Sequence, residues 1–313
     1  MTLSRKHPAE LSRLIKGSVS ADVPLSRHTS FRIGGPADLL VRPKDVRDLQ
    51  SVLRYLNERD IGWFILGAGT NVLFHDKGFR GAVIPTKSMT GYCSTTNGSD
   101  HMVLTAEAGF PLPALVYKAA DLGLRGLEPL WGIPGSFGGA IAVNAGAGGT
   151  STAEFLQRVR ILTRDGDEID SAANEIEFGY RRAAFPTGSI ILSGTVRLMK
   201  GDRSAIEAAL AARRNERRAT QPAERRSAGC VFKNPPGQRP AGALIDGLGF
   251  KGYSIGDAQV SEIHANFIIN RGKATAGQVL ELIETIKQRV KAETGIDLEP
   301  EIRIVGEGGE SVL

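Results

Sequence analysis

The sequence predicts an α+β fold in which an N-terminal unit of two lobes, about residues 20–90 and 91–200, precedes a smaller C-terminal α+β domain over 201–313. Three observations lead there. Strand-like and helix-like periodicities succeed one another through the first two hundred residues, with no internal repeat. The 38 glycines cluster at particular points, notably around 67–69 and 123–149, instead of spreading as a linker. The two longest amphipathic helical patterns both come after residue 201, with short strands between them.

Taken in order, Val46, Leu49, Val52, Leu53 and Leu56 recur at helical spacing between Asp45 and Asp60. Gly62 to Leu66 then reads as a buried strand that runs into a glycine turn. A strand over Gly81 to Ile84, a polar loop over Thr95 to Asp100 and a strand over Met102 to Ala106 follow. The next helix spans about Pro113 to Leu122. Between Gly123 and Gly149 the density of Gly, Pro and Ala forces close turns, after which strands resume at Val159 to Thr163 and Ile190 to Leu198. Ala205 to Thr220 is a helix with a strongly basic face. Ala274 to Thr294 is a second long helix, its core stripe made of Val279, Leu280, Leu282, Ile283, Ile286 and Val290. Ile302 to Val305 reads as a strand.

With 313 residues, 41% hydrophobic and 23% charged, the chain has the make-up of a folded protein of two or three compact domains. No stretch approaches the roughly 20 apolar residues that span a bilayer, and the N-terminal MTLSRKHPAELSRL lacks the apolar core of a secretory signal. A cytoplasmic location without membrane insertion is therefore expected, and a monomer is taken as the default. Cys93 and Cys230 show neither CxxC nor Cys/His spacing, so neither a disulfide framework nor a metal site is expected. Lysine and arginine (39) exceed aspartate and glutamate (34) by five, which suits an anionic ligand. The excess is concentrated in one stretch, Arg213 to Arg218, with no aromatic interleaving, and this argues against nucleic acid.

Two segments could carry chemistry. In Leu66-Gly-Ala-Gly-Thr-Asn-Val-Leu-Phe74 a buried strand delivers Gly67, Ala68, Gly69, Thr70 and Asn71 into a sharp turn. Such a turn exposes consecutive backbone N–H groups and makes a concave anion site suited to a pyrophosphate. The spacing is not GxGxxG and no helix pattern follows, so a Rossmann site is disfavoured; a glycine turn demanded by backbone geometry alone explains the segment equally well. In Gly126 to Gly149 the small residues, including Gly132, Pro134, Gly135, Gly138, Gly139, Asn144 and Ala145, leave little bulk between backbone and a flat ligand. A tightly turned core segment is the alternative. Two glycine-rich elements flanking one lobe favour the ligand.

The LGAGTNVLF turn, the WGIPGSFGGAIAVNAGAGG segment, the Tyr180-Arg181 pair, GCVFKNP and the terminal EPEIRIVGE together resemble the UDP-N-acetylenolpyruvoylglucosamine reductase family, in the same order and over nearly the whole chain. The resemblance implies a PCMH-type FAD-binding domain in two lobes and a C-terminal substrate-binding domain. It implies FAD as cofactor, NADPH as hydride donor, and a UDP-sugar bearing an enolpyruvyl ether as the group reduced, in peptidoglycan precursor synthesis. The pyrophosphate would lie on the first glycine turn and the flavin against the second segment. The resemblance also draws Thr29 to Gly35, with Arg32, into the FAD-binding lobe. The short spacing after Tyr180 resembles the compact form of the family, which lacks an extra substrate-covering loop. Another PCMH-type flavoprotein, such as an oxidase returning its electrons to oxygen, is the alternative reading.

By the same resemblance Arg181 steadies the substrate carboxylate as charge builds on it, a role suited to a permanently charged fork. Glu301 is its partner. Read alone, these two would be a surface salt-bridge arginine and an exposed strand-end carboxylate. Cys230 stands where many members of the family carry serine as proton donor. A thiol with an ordinary pKa of about 8.5 is largely protonated at neutral pH and can donate, although most free cysteines simply pack as small hydrophobes. Lys233 and Asn234 match positions near the substrate phosphates and sugar, and Tyr180 is placed with them. His264 and Asn266 alternate with apolar neighbours, so one strand side could present both to a site; a half-buried polar strand face explains them equally. One or two arginines of the 213–218 run are expected to touch ligand, and a solvated helix face is the commoner fate of such a run.

Overall fold

The computed structural model describes residues 6–98, 100–222 and 226–311. The first lobe is a four-stranded sheet. Its strand order is Ser18–Pro24, Pro36–Arg42, Phe79–Pro85 and Trp63–Leu66, with the first pair antiparallel and the others parallel. Val46–Asn57 is helical because Asp45 caps it, accepting from the Asp48 amide at 2.9 Å, and because its apolar stripe meets the sheet. Leu49, Val52, Leu53 and Leu56 pack there against Leu39, Val41, Ala82 and Ile84. The other face of the sheet buries Leu40, Phe64, Leu66 and Val83 with Phe74 and Phe79.

The second lobe is an antiparallel sheet of six strands. Glu168–Ala172, Leu156–Leu162, Ile190–Lys200, His101–Glu107 and Tyr92–Asn97 lie side by side, and Leu124–Arg125 pairs with the far end of Ile190–Lys200. Thr95 to Asn97, expected in a loop, belong to an edge strand instead. β-branched threonines suit a half-exposed pleated surface, and Gly98, at φ 76°, turns the chain back into His101–Glu107. The helices Leu112–Asp121 and Phe137–Ala142 cover this sheet. Arg203–Thr220, although it follows the expected domain boundary at 201, buries Ile206 and Leu210 in the core of the second lobe.

The remaining residues build a three-stranded sheet of Ser254–Ile255, Ala258–Val260 and Ile268–Asn270, packed under the helix Ala276–Thr294. Its core takes in Phe31, Ile33 and Leu73 from the first lobe. Polar contacts close the same seam. Asp76 accepts from the amides of Ala276 and Gly277 at 2.8 and 3.0 Å, so a first-lobe carboxylate caps the helix. Ser30 Oγ donates to the Ser227 carbonyl at 2.6 Å, and Asn270 Nδ2 to that of Phe31 at 3.0 Å. Finally, Arg303–Gly306 pairs in parallel with Val72–Phe74, the strand that leaves the first glycine turn. This pairing sets the site.

Candidate active site

The strand Trp63–Leu66 ends at Gly67, and the chain turns sharply through Gly69, whose φ of 74° an L side chain rarely adopts. A Cβ on Gly69 would sit 2.1 Å from the His28 carbonyl oxygen, so glycine is required twice over. The turn faces Ile133 to Ser136, Gly139, Ala140, Ala142, Val143 and Ala145 to Gly148 across a cavity of about 500 Å³. That volume lies in the range of small-molecule sites. The cavity continues past Ala228, Gly229 and Cys230 to Glu301 and Arg303. Its lining holds three arginines, Arg181, Arg217 and Arg303, and one carboxylate, Glu301. Two facing glycine-rich walls and a surplus of guanidinium charge suit a flat dinucleotide carrying a diphosphate.

Nine of the thirteen residues expected at a cofactor line this cavity: Gly67, Ala68, Gly69, Thr70, Asn71, Pro134, Gly135, Gly139 and Ala145. Four are placed elsewhere. Gly138 is buried, and its missing side chain lets Phe137–Ala142 approach the second-lobe sheet; a Cβ there would lie 2.6 Å from that of Ala108. Gly132, at φ 75°, leaves room for the stem of Arg217. Asn144 spends both ends of its amide inside the protein, Nδ2 donating to the Gly179 carbonyl at 2.9 Å and Oδ1 accepting from the Ala153 amide at 3.0 Å. Arg32 is exposed on a tight turn at φ 56°, outside the cavity.

Arg181, Cys230 and Glu301, 49 residues and more apart in sequence, are brought together. Arg181 is at the tip of a short hairpin, Phe178–Gly179 with Arg182–Ala183, which Asn144 holds through Gly179. Its φ of 54° costs on the order of 1 kcal/mol for a side chain of this size. Its Nη1 donates to the Gly146 carbonyl at 3.0 Å, and its Nε lies 2.7 Å from Glu301 Oε1. That contact is an ion pair whose N–H does not point squarely at the oxygen. Glu301 is fixed by its backbone: its amide donates to the Val231 carbonyl at 2.7 Å, and its carbonyl accepts from Asn71 Nδ2 at 3.2 Å. Cys230 bridges to Phe267 in antiparallel fashion beside it.

Burial, reinforced by the Glu301 carboxylate and opposed by Arg181 and Arg217, pushes the Cys230 thiol up to about 12. The thiol is therefore protonated throughout the physiological range. Burial also raises Glu301, against the pull of Arg181, and lowers His264. His264 Nδ1 accepts from the Asn266 amide at 3.2 Å, which leaves the proton of the neutral ring on Nε2.

Of the residues expected at a substrate, Asn234 and His264 line the cavity. His264 and Asn266 do not share a strand face, because they lie in a turn before Ile268–Asn270. Asn266 turns inward, accepting from the Phe232 amide at 2.9 Å and donating to the Phe232 carbonyl at 2.8 Å. Lys233 pairs with Glu299, outside the cavity lining. Tyr180 is exposed beside Arg181, and its hydroxyl accepts from the Asn234 amide at 3.3 Å. Sequence reasoning did not single out Ser136, Gln221 or Arg303, and left open which arginine of the 213–218 run turns inward. The lining answers Arg217. The signal was there: Ile206, Leu210, Arg213 and Arg217 form one helical stripe, so the face that buries the first two also carries the last two inward.

Comparison with known proteins bears on the whole arrangement. Residues 37–171 match the family described as FAD binding domain, and residues 221–305 match UDP-N-acetylenolpyruvoylglucosamine reductase, C-terminal domain. The UDP-N-acetylenolpyruvoylglucosamine reductase of Syntrophotalea carbinolica is 42% identical over 299 residues, covering 96% of this chain and 98% of that one. That of Heliobacterium modesticaldum is 41% identical over 304 residues, covering 97% and 96%. The crystal structure of UDP-N-acetylenolpyruvylglucosamine reductase from Thermus caldophilus superposes with a TM-score of 0.75 at 35% identity, covering 93% of this chain and 99% of that chain. A VAO-type flavoprotein from Myceliophthora thermophila, 15% identical, shares the fold of part of the chain at a TM-score of 0.51, covering 63% and 48%. The α+β architecture is thus a PCMH-type FAD-binding domain joined to a reductase-type C-terminal domain, and the chain belongs to the UDP-N-acetylenolpyruvoylglucosamine reductase family.

Proposed function

We propose that the protein reduces UDP-N-acetylglucosamine enolpyruvate to UDP-N-acetylmuramate with FAD and NADPH, a cytoplasmic step in making peptidoglycan precursors. The observation that carries this reading is the convergence of a protonated thiol, an arginine–glutamate pair and two glycine-rich walls on one cavity. FAD, when bound, supplies the two-electron relay between NADPH and the enol ether. The Gly67 to Asn71 turn would take its pyrophosphate, and Pro134 to Ala145 its flavin side.

The protein's own groups do the rest. Adding hydride to one carbon of the enol ether puts negative charge on the adjoining carbon and its carboxylate. Arg181, held by Glu301 and the Gly146 carbonyl, offers that carboxylate a fixed cation in a largely desolvated place, where such charge stabilises the transition state most. Cys230 then protonates the carbon. Its raised pKa keeps the proton available, and a thiol remains a stronger acid than a serine hydroxyl. Neutral His264 offers an Nε2–H to the substrate. The C-terminal domain, which follows the helix Arg203–Thr220, would carry the UDP-sugar, with Asn234 inside the cavity and Tyr180 and Lys233 nearby.

The test is a visible spectrum of the purified holoenzyme, followed by anaerobic NADPH and then the enolpyruvyl UDP-sugar. Flavin colour that bleaches with NADPH and returns with substrate is expected. Colour returning only with oxygen would favour an oxidase, and a protein that holds no flavin would end the proposal.

A further inference from the structure

Arg217 reaches the cavity from a different lobe than Cys230. Its helix, Arg203–Thr220, is pinned by Ile206 and Leu210 in the second-lobe core, and Arg213 lies against Gly148 one turn earlier. The stem of Arg217 fills the space that Gly132 leaves open; a Cβ on Gly132 would come within 2.7 Å of Arg217 Cδ. Its Nη2 donates to Gln221 Oε1 at 2.6 Å. Among the described residues no carboxylate pairs with it, and Glu216, its sequence neighbour, is engaged by Arg213 at 2.9 Å. Burial lowers the pKa of Arg217, opposed by Cys230 in its thiolate form and by Glu216. A desolvated guanidinium facing a cavity without a counter-ion is costly unless a ligand anion completes it.

The charges that act on Cys230 are those of Glu301, Arg181 and Arg217. Arg181 and Glu301 largely cancel, and the thiol and His264 are neutral. Of the groups that act on Cys230, Arg217 is therefore the cation with no paired carboxylate among the described residues, while the third arginine of the lining, Arg303, stacks on Phe64 at 4.9 Å; an enolpyruvyl carboxylate is the substrate anion that must lie closest to the proton donor. We propose that Arg217 receives the carboxylate of the enolpyruvyl group and fixes it beside Cys230, a proposal that rests on the reductase reading above. Arg181 then approaches the same group as a cation shared with Glu301, while Arg217 brings a second guanidinium that no carboxylate among the described residues pairs with. Because carboxylate charge grows as hydride arrives, the interaction strengthens on the way to the transition state.

The experiment compares wild-type, Arg217→Lys and Arg217→Met holoenzymes in four readouts. These are flavin content, anaerobic bleaching by NADPH, recolouring by the enolpyruvyl UDP-sugar, and affinity for UDP-N-acetylglucosamine, which lacks the carboxylate, from the flavin difference spectrum. Recolouring is expected to slow roughly 30-fold or more in Arg217→Met, the loss of a charge-assisted hydrogen bond, with partial recovery in Arg217→Lys. Flavin content, bleaching and UDP-N-acetylglucosamine affinity should stay at wild-type values. Lost flavin, bleaching slowed in parallel, or weakened UDP-N-acetylglucosamine binding would overturn the proposal, because Arg217 would then serve the fold, the cofactor's diphosphate, NADPH or the UDP moiety. Unchanged recolouring in Arg217→Met would overturn it too. A wild-type enzyme that bleaches with NADPH yet never recolours with the substrate would defeat the reductase reading itself, and this proposal with it.

Discussion

Replacing Asn266 by alanine separates a structural residue from a substrate-binding one more sharply than any other change near the cavity. The side chain is 3% exposed, and its amide satisfies both backbone groups of Phe232, at 2.9 and 2.8 Å. Alanine would strand one buried N–H and one buried C=O. At about 1–3 kcal/mol for each unsatisfied group, the loss is about 2–6 kcal/mol. With a urea dependence of about 2–3 kcal/mol per molar, the unfolding midpoint should fall by about 1–3 M. The assay is urea unfolding of the holoenzyme in excess FAD, followed by tryptophan and flavin fluorescence. Because Phe232 lies two residues from Cys230, and Cys230 bridges to Phe267, recolouring by substrate should slow as well. Bleaching by NADPH should persist at temperatures where the variant is folded. An Asn266→Ala enzyme with an unchanged midpoint and a raised KM for the UDP-sugar would refute the argument, and would return Asn266 to the substrate-contacting role its sequence position suggests.

Two further outcomes follow from the cavity. The Cys230 thiol, held up to about 12, should be ionised in only about one molecule in ten thousand at pH 8, so iodoacetamide should label exposed Cys93 and spare Cys230; peptide mass spectrometry that finds Cys230 labelled first would contradict the assigned burial. The raised pKa also has a sign for stability: its contribution is complete below the ordinary thiol range and is lost as pH climbs toward 12, so wild-type stability should fall more than that of Cys230→Ala between about pH 9 and 12. Gly69→Ala would place a Cβ 2.1 Å from the His28 carbonyl at a backbone φ of 74°, and the purified variant should lose most of its flavin absorbance; full flavin content would show that the turn can relax.

Elements set by local periodicity were legible in the sequence, and contacts set by tertiary approach were not. Val46–Asn57 and Ala276–Thr294 announced themselves through apolar stripes that one buried face requires. The edge strand Tyr92–Asn97 was read partly as loop, because its polar residues face solvent and its pairing partner lies beyond a turn. The glycine turn was legible as a turn, and the His28 carbonyl against Gly69 gives the packing reason for glycine there, which local sequence does not carry. Asn266 and Asn144 illustrate the opposite difficulty. An asparagine that binds ligand and one that satisfies a neighbouring backbone look alike in sequence, since the same two-ended amide serves both. Arg217 sits between these cases, its direction readable from the stripe through Ile206 and Leu210, its destination readable only from the packing of the two lobes.

The parallel pairing of Arg303–Gly306 with Val72–Phe74 also bears on how the enzyme comes into being. Asn71 grips the backbone of Glu301 across 230 residues of chain, and the Arg303 amide returns to the Asn71 carbonyl. Contacts of such separation carry a large loop-closure cost and form late. On the ribosome both glycine-rich walls emerge long before Glu301 exists, and domains fold in the order they are made. A nascent chain can thus shape most of the dinucleotide cradle while still unable to pair Arg181. Reduction of the enol ether waits for synthesis to reach the strand that inserts beside the first turn.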